Sequence, residues 1–242
     1  MNWHTRYAQQ ANWTRGLRSY IFEKAGLENT RCVLEVGCGT GAILSGVSKR
    51  PTLHGLDIDP VALMECHVNA PDAFLIQGNA LQLPYPDESF DIVYSHFLLL
   101  WVHQPLQALL EMKRVTRSGG YVIAFAEPDY VNRVDQPDEL IALGKWQTEA
   151  LKRQGANPAL GSQLAGLFFE AGIHIVETGT IQSQGNEPSA DEWEIEWDVI
   201  ESDLAGWVPD ADIQNMKRLD KKAREQKVRV LHVPTHFAWG RV

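Results

Sequence analysis

The residues Glu35-Val36-Gly37-Cys38-Gly39-Thr40-Gly41 set three glycines at alternate positions behind a carboxylate. The run continues a strand-like segment, Cys32 to Val36, and leads into Leu44 to Lys49, read as the start of a helix. Glycine tolerates positive φ and lets a ligand approach the backbone, and the first N–H groups of a helix favour polar ligands. On spacing alone, Gly37, Gly39 and Ala42 satisfy the dinucleotide fingerprint, so a nicotinamide-dependent dehydrogenase stays open. Glu35 weighs against it, because a carboxylate there repels a pyrophosphate and attracts the ammonium of an aminoacyl group. Asp57 ends a second strand, where it can accept both hydroxyls of a ribose, which suits either kind of ligand. Asn79 follows a third strand, where its amide oxygen can accept from an adenine amino group.

A second set of reactive side chains follows later strands, and open α/β sheets bind ligands beyond the carboxyl ends of their strands. His96 comes after the fourth strand and is the preferred general base, because imidazole titrates near neutrality. Its alternative is a pocket wall. Glu127, Asp129 and Tyr130 come after the fifth strand and either orient a substrate or, for the two carboxylates, cap the next helix. Trp193 and Trp197 can line a lid over an apolar or cationic molecule, or pack as ordinary core. No Asp, Asn or His cluster has ligand spacing, so no metal is indicated. Cys32, Cys38 and Cys66 lack paired spacing and read as free thiols.

The elements that must position these groups alternate. β-Branched runs at Cys32–Val36, Leu53–Ile58, Ala73–Gln77, Phe90–Ser95 and Tyr121–Ala126 are separated by helical patterns, the mark of a parallel sheet covered on both faces. Helices are expected at Asn12–Ala25, after Pro60, at Leu106–Val115, Pro137–Gln154 and Gly161–Ala171. Ile173–Thr180 and Val228–Val233 read as the last two strands, with His236–Val242 extended. Between them, Trp193, Trp197, Ile200 and Leu204 recur at i, i+4, i+7 and i+11 on an acidic helix, and a basic helix follows over Ala211–Gln226. This pair is either an inserted lid or an acidic helix packed on a basic one.

At 242 residues the chain fits one α/β domain with an appendage. Its net charge of −9 disfavours a general polyanion binder, and no run approaches the roughly 20 apolar residues of a membrane helix. The N-terminal residues lack the apolar stretch of a secretory signal, which points to the cytoplasm. Composition leaves the oligomeric state open.

Taken together, Glu35 to Gly41, Gly55-Leu56-Asp57-Ile58-Asp59, Gly78-Asn79-Ala80, Ser89 to Ser95, Glu111 to Val115 and Ser118-Gly119-Gly120 resemble the class I S-adenosylmethionine (SAM) dependent methyltransferases. The group in question includes the ubiquinone and menaquinone C-methyltransferases, and the similarity runs from about Arg31 to Asp129. The resemblance implies a Rossmann-like α/β fold: a seven-stranded, mostly parallel sheet with helices on both faces and a helical lid inserted before the last strand. One domain is expected over 1–242, with a helical cap at 1–30, the core at 31–184 and 227–242, and the lid at 185–226. By the same resemblance the seventh strand, Val228 to Val233, lies antiparallel beside the fifth, and the N-terminal segment with Tyr7 and Trp13 folds over the cofactor. SAM is the implied cofactor, with Glu35, Gly37 and Gly39 at its methionine part, Asp57 on the ribose, and Ile58, Asn79, Ala80 and Ser95 completing the site. Asn79 stands where the family usually has Asp. Arg15 or Arg18 can meet the cofactor carboxylate. The implied activity is methyl transfer to an N, O or C nucleophile of a small molecule; an RNA methyltransferase and a non-catalytic SAM-binding protein are the alternatives.

Overall fold

A computed structural model describes residues 3–47, 50–181 and 189–242. Two helices open the chain, α1 (Trp3–Trp13) and α2 (Arg15–Lys24), where one helix over Asn12–Ala25 is expected from the sequence. Thr14 breaks them. The first strand, β1 (Cys32–Val36), is buried on both faces, which is why it reads as an unbroken apolar run interrupted only by Glu35. The glycine loop after it ends in one short 3-10 turn, Leu44–Gly46, in place of the expected helix; Ser48 and Lys49 lie outside the described residues.

Next come β2 (Thr52–Asp57), α3 (Pro60–Asn69), β3 (Phe74–Gln77), β4 (Phe90–Ser95), α4 (Pro105–Val115) and β5 (Thr116–Pro128). Helix α3 starts on Asp59, whose carboxylate accepts the Val61 N–H at 2.8 Å, with Pro60 at the first helical position. A short β6 (Val134–Gln136), α5 (Ile141–Arg153), α6 (Leu160–Glu170) and β7 (His174–Ile181) follow. The chain closes with α7 (Ala190–Leu204), α8 (Asp210–Glu225), β8 (Val230–His232) and β9 (Thr235–Arg241). A reciprocal Ser189–Glu192 capping box starts α7.

The main sheet has seven strands in the order β3-β2-β1-β4-β5-β9-β7. All pairs are parallel except those of β9, which runs antiparallel to both β5 and β7. One face carries α4 and α6 against Leu34, Val36, Val93 and Val122; the other carries α2 and the glycine loop against Val33, Ile92, Tyr94 and Ile123. The strand beside β5 corrects the sequence reading. Val228–Val233 was expected there, but Thr235–Arg241 occupies the place, and Val230–His232 pairs with Val134–Gln136 in a separate two-stranded ribbon. Gly240 suits the sheet interior, because a Cβ there would lie 2.6 Å from Ile173 Cγ2 and 2.7 Å from the His174 carbonyl oxygen.

Helices α5, α7 and α8 build a second small core from Leu140, Leu143, Ile200, Leu204 and Ile213. Lys217 of α8 pairs with Glu194 and Glu201 of α7 at 3.3 and 3.1 Å, so the acidic helix does pack on the basic one.

Candidate active site

Three positive φ values, at Gly37, Gly39 and Gly41, turn the chain sharply at the carboxyl end of β1. The Gly37 and Cys38 N–H groups both donate to the Leu56 carbonyl, at 2.7 and 3.0 Å, and tie the turn to β2. Asp57 holds it from the side. Its Oδ2 accepts the Gly39 N–H at 2.7 Å and its Oδ1 accepts the Asp59 N–H at 2.9 Å. Each carboxylate oxygen keeps a further acceptor position. Ile58, the next residue, is 68% exposed. Asn79 Oδ1 accepts the Leu81 N–H at 2.9 Å and shapes the turn after β3, which also carries the buried Ala80.

Glu35 does not face a ligand as an open carboxylate. It is 1% exposed, beneath the loop, and Tyr94 Oη donates to its Oε2 at 3.0 Å. Burial raises its pKa well above the usual range, with the Tyr94 bond opposing. An acid whose neutral form is favoured neither repels a pyrophosphate nor attracts an ammonium strongly. The charge argument drawn from Glu35 therefore loses its force. Ser95, at the end of β4, is fully buried and its hydroxyl has no hydrogen-bond partner among the described residues.

Helix α1 lies across the loop. His4 Nδ1 is 2.9 Å from Thr40 Oγ1, Asn69 Nδ2 donates to the Thr40 carbonyl at 2.8 Å, and a Cβ on Gly39 would touch the Tyr7 ring at 3.4 Å. Burial, then Asp57 and Asp59, raise the Tyr7 pKa, as expected for a phenol laid over the carboxylate end of β2. A cleft of about 530 Å³ opens beside it, with His4, Asn12, Arg15, Arg18 and Ser45 in its walls.

His96 follows β4, and its Nε2 sits 2.8 Å from Thr14 Oγ1, which Arg18 also contacts. Burial, and then the Arg18 charge, push its pKa down to about 3. The ring is neutral at physiological pH and a weak base. Glu127 turns inward, where Oε1 accepts the N–H groups of Leu98 and Leu99 and Oε2 that of Leu100, capping the 3-10 turn Leu99–Trp101 after β4. Burial lifts its pKa to about 7 against those three bonds. Asp129 accepts from the backbones of Val131 and Asn132 and from the Asn132 amide, so it organises its own turn. Burial would raise its pKa, but the bonds from Asn132, Ser162 and Val131 outweigh that and hold it low. Burial raises the phenol pKa of Tyr130, with the Arg6 and Arg133 charges opposing and those of Glu196 and Asp203 adding to the rise.

Of the two places open to Trp193 and Trp197, the structure shows ordinary core packing and not a pocket lining. Both indole N–H groups donate to Asp220 Oδ2, at 2.6 and 3.1 Å, inside the core that α7 shares with α8. Sequence reading missed Thr14, Leu98 and Asp59. Asp59-Pro60 carries a helix-start signal, whereas Thr14 meets His96 across 82 positions and has no local signature.

Residues 34–124 match the family model described as a methyltransferase domain. This stretch is a class I SAM-dependent methyltransferase domain. It runs from β1 into β5 and so contains the glycine loop, Asp57, Asn79 and His96. An uncharacterised methyltransferase of Schizosaccharomyces pombe is 32% identical over 161 residues, covering 60% of this chain and 57% of that protein. A demethylmenaquinone methyltransferase of Halalkalibacterium halodurans is 36% identical over 115 residues, 44% of this chain and 47% of that protein. The chain spans about half the length of the relatives it matches. Among solved structures, the [4+2]-cyclase SpnF superposes with a TM-score of 0.59 at 19% identity, covering 93% of this chain and 80% of that one. That likeness concerns the fold alone.

The family's cofactor is SAM, and the methyltransferase domain suits it on structural grounds. A Cβ on Gly37 would come within 2.7 Å of the Leu98 side chain, so only glycine keeps that approach open. Ile58 offers an exposed apolar surface for a flat ring, Asp57 keeps acceptor capacity for two hydroxyls, and Ser95 holds a buried hydroxyl in need of a partner.

Proposed function

We propose that the whole chain is a SAM-dependent methyltransferase acting on a small-molecule acceptor. The observation that carries the reading is the pairing of the positive-φ glycine turn with Asp57 and the exposed Ile58, all inside the matched stretch. The Gly37–Gly39 backbone would border the methionine part, Asp57 the ribose, and Ile58, Asn79 and Ala80 the adenine. Ser95 would complete the site, Glu35 would support the loop from below, and Arg18, which also donates to the Ala11 carbonyl, would meet the cofactor carboxylate. SAM supplies an electrophilic methyl on a sulfonium, transferred in line to a nucleophile. The protein's part is alignment and exclusion of water, and positioning of this kind lowers barriers by roughly 7–11 kcal/mol.

Tyr7 would close the cofactor side. His96, neutral and held by Thr14, would orient the acceptor by hydrogen bonding; its low pKa makes it a weak proton acceptor. Tyr130 would meet the acceptor, in a field to which Arg6 and Arg133 contribute as well as Glu196 and Asp203. Glu127 and Asp129 would act at one remove, by holding the turns that frame this space.

Calorimetric titration with SAM, S-adenosylhomocysteine and NADH tests the reading. Micromolar binding of the first two, at least tenfold weaker in Asp57→Ala, with no NADH binding, is expected. Binding of NADH alone would refute it. Because a cyclase shares the fold, transfer of labelled methyl to an acceptor must then be shown.

A further inference from the structure

Strand β3 is the outer strand of the main sheet and pairs only with β2 among the described residues, so one row of its main-chain N–H and C=O groups faces outward. Natural edge strands are blunted by charge, proline or bulges. This edge is short, at four residues, but Phe74-Leu75-Ile76-Gln77 holds neither a charge nor a proline.

The side chains around it are apolar on both faces of the sheet. Phe74 stacks on His54, with ring centroids 5.3 Å apart, which places Phe74 and Ile76 on one face. Leu75 points to the other, where it forms a groove of about 430 Å³ with Pro60, Leu63, Met64 and His67 of α3. Beyond that groove, Val61, Met64 and Val68 recur at i, i+3 and i+7 on the outer face of α3. Val61 is 67% exposed, Met64 69%, Val68 76% and Phe74 60%. Helix α3 buries its other side, through Cys66, and needs none of these residues for its own packing.

We propose that β3 and α3 form the contact surface of a two-fold dimer of this chain. A two-fold axis perpendicular to the sheet beside β3 would pair the two edges antiparallel and join the sheets. The same operation puts both copies of α3 on one face, flanking the axis, so their apolar faces meet, and it brings Phe74 and Ile76 together with their counterparts on the other. One symmetry element thus covers the edge, the groove and the helix face, which is what an isologous interface requires.

Charge and area agree with a second copy as the occupant. The chain carries a net charge of −9, so identical copies meet most readily where charge is sparse, and Glu65 and Asp72 are the only Asp, Glu, Lys or Arg residues between Pro60 and Gln77. The exposed apolar side chains of the two faces together amount to roughly 500 Å², the size of the largest, often functional, patch of a typical monomer. Two such patches face to face remove roughly 1,000 Å² from water, the threshold for a specific interface.

The test is independent of the cofactor reading. Light scattering after gel filtration, over loads of about 5 to 100 µM, should give twice the 27.2 kDa chain mass for the wild type. Met64→Lys combined with Val68→Lys, and separately Phe74→Lys, should each give the single-chain mass. Circular dichroism melts establish that the variants fold; the two α3 positions are largely solvent-exposed and should leave the melt within a few degrees of the wild type. A wild type at the single-chain mass throughout, including the case where the edge serves a different protein, overturns the proposal. So does a dimer that survives in folded forms of both variants.

Discussion

Among the residues of the site, His96 gives the sharpest prediction. Its pKa of about 3 lies well below the 6.5 of an unfolded histidine, because the buried ring is costly to charge and Arg18 opposes the proton. Between those two values the unfolded chain binds more protons than the folded one, so this group makes stability rise with pH, complete above about 6.5 and lost on acidification toward 3. Other buried acids titrate nearby with the opposite sign, Glu127 among them, so the difference between wild type and His96→Gln isolates the imidazole. Urea unfolding should show the wild type losing up to about 4 kcal/mol more than the variant between pH 6.5 and 3.5. In turnover, the same pKa leaves no imidazole inflection in the rate between pH 5 and 9. An inflection between pH 6 and 7 that disappears in His96→Gln would restore the residue to general-base catalysis.

Among the elements, the insertion shows both what a sequence pattern can say and where it stops. The spacing of Trp193, Trp197, Ile200 and Leu204 specifies a helix with one buried face, and all four are buried in α7. Periodicity defines a face without naming what it meets, and here it meets Asp220 and not the strand ends. The central strands were legible for a related reason: β1, most of β4 and Val122–Ala126 of β5 are covered on both sides and read as near-continuous apolar runs. The last strand was not. Val228 to Val233 has the richer β-branched composition, but the interior place went to Thr235–Arg241, where Phe237, Ala238 and Trp239 fill both faces and Gly240 admits the neighbouring backbone. The glycine loop and Asp57 could be read from local spacing, while Thr14 beside His96 depends on the folded chain.

Asp220 supports the insertion. Its oxygens take Arg229 at 2.6 Å, Arg224 at 2.9 Å and the two indoles, and Arg229 continues to Asp135 at 2.9 Å. Burial would raise the Asp220 pKa, but the bonds from Trp193 and Arg224 outweigh it and keep the carboxylate ionised. Asp220→Ala leaves a buried guanidinium short of a partner, and such losses cost about 3–5 kcal/mol. Denaturant unfolding should show a loss of that size, with trypsin cutting first after the Lys and Arg residues of α8 while SAM affinity in the native chain stays within about threefold. A loss below about 1 kcal/mol would mean that the indoles and arginines find other partners.

At the scale of the whole molecule, net charge and its distribution bear on the class of acceptor. Counterion release makes nucleic-acid affinity depend on clustered, available cations. In the densest basic segment, Lys217 to Arg229, three cations are spent internally, Lys217 on Glu194 and Glu201, Arg224 and Arg229 on Asp220, while Arg218, Lys221, Lys222 and Lys227 are exposed. Those four stand beside the seven carboxylates of α7, within a net charge of −9. The matched stretch, 34–124, also excludes α1, α7 and α8, and of these α7 is strongly acidic, with seven carboxylates and no Lys or Arg. Labelled single-stranded and hairpin RNAs should therefore show no anisotropy change with protein up to about 10 µM, even near 50 mM salt, where electrostatic binding is strongest. Tight binding that weakens steeply as salt rises would mean that a basic face forms after all, and the acceptor would then be sought among RNAs. Binding that ignores salt would point to stacking on exposed aromatics, with Trp3 and Trp13 of α1 the first residues to replace.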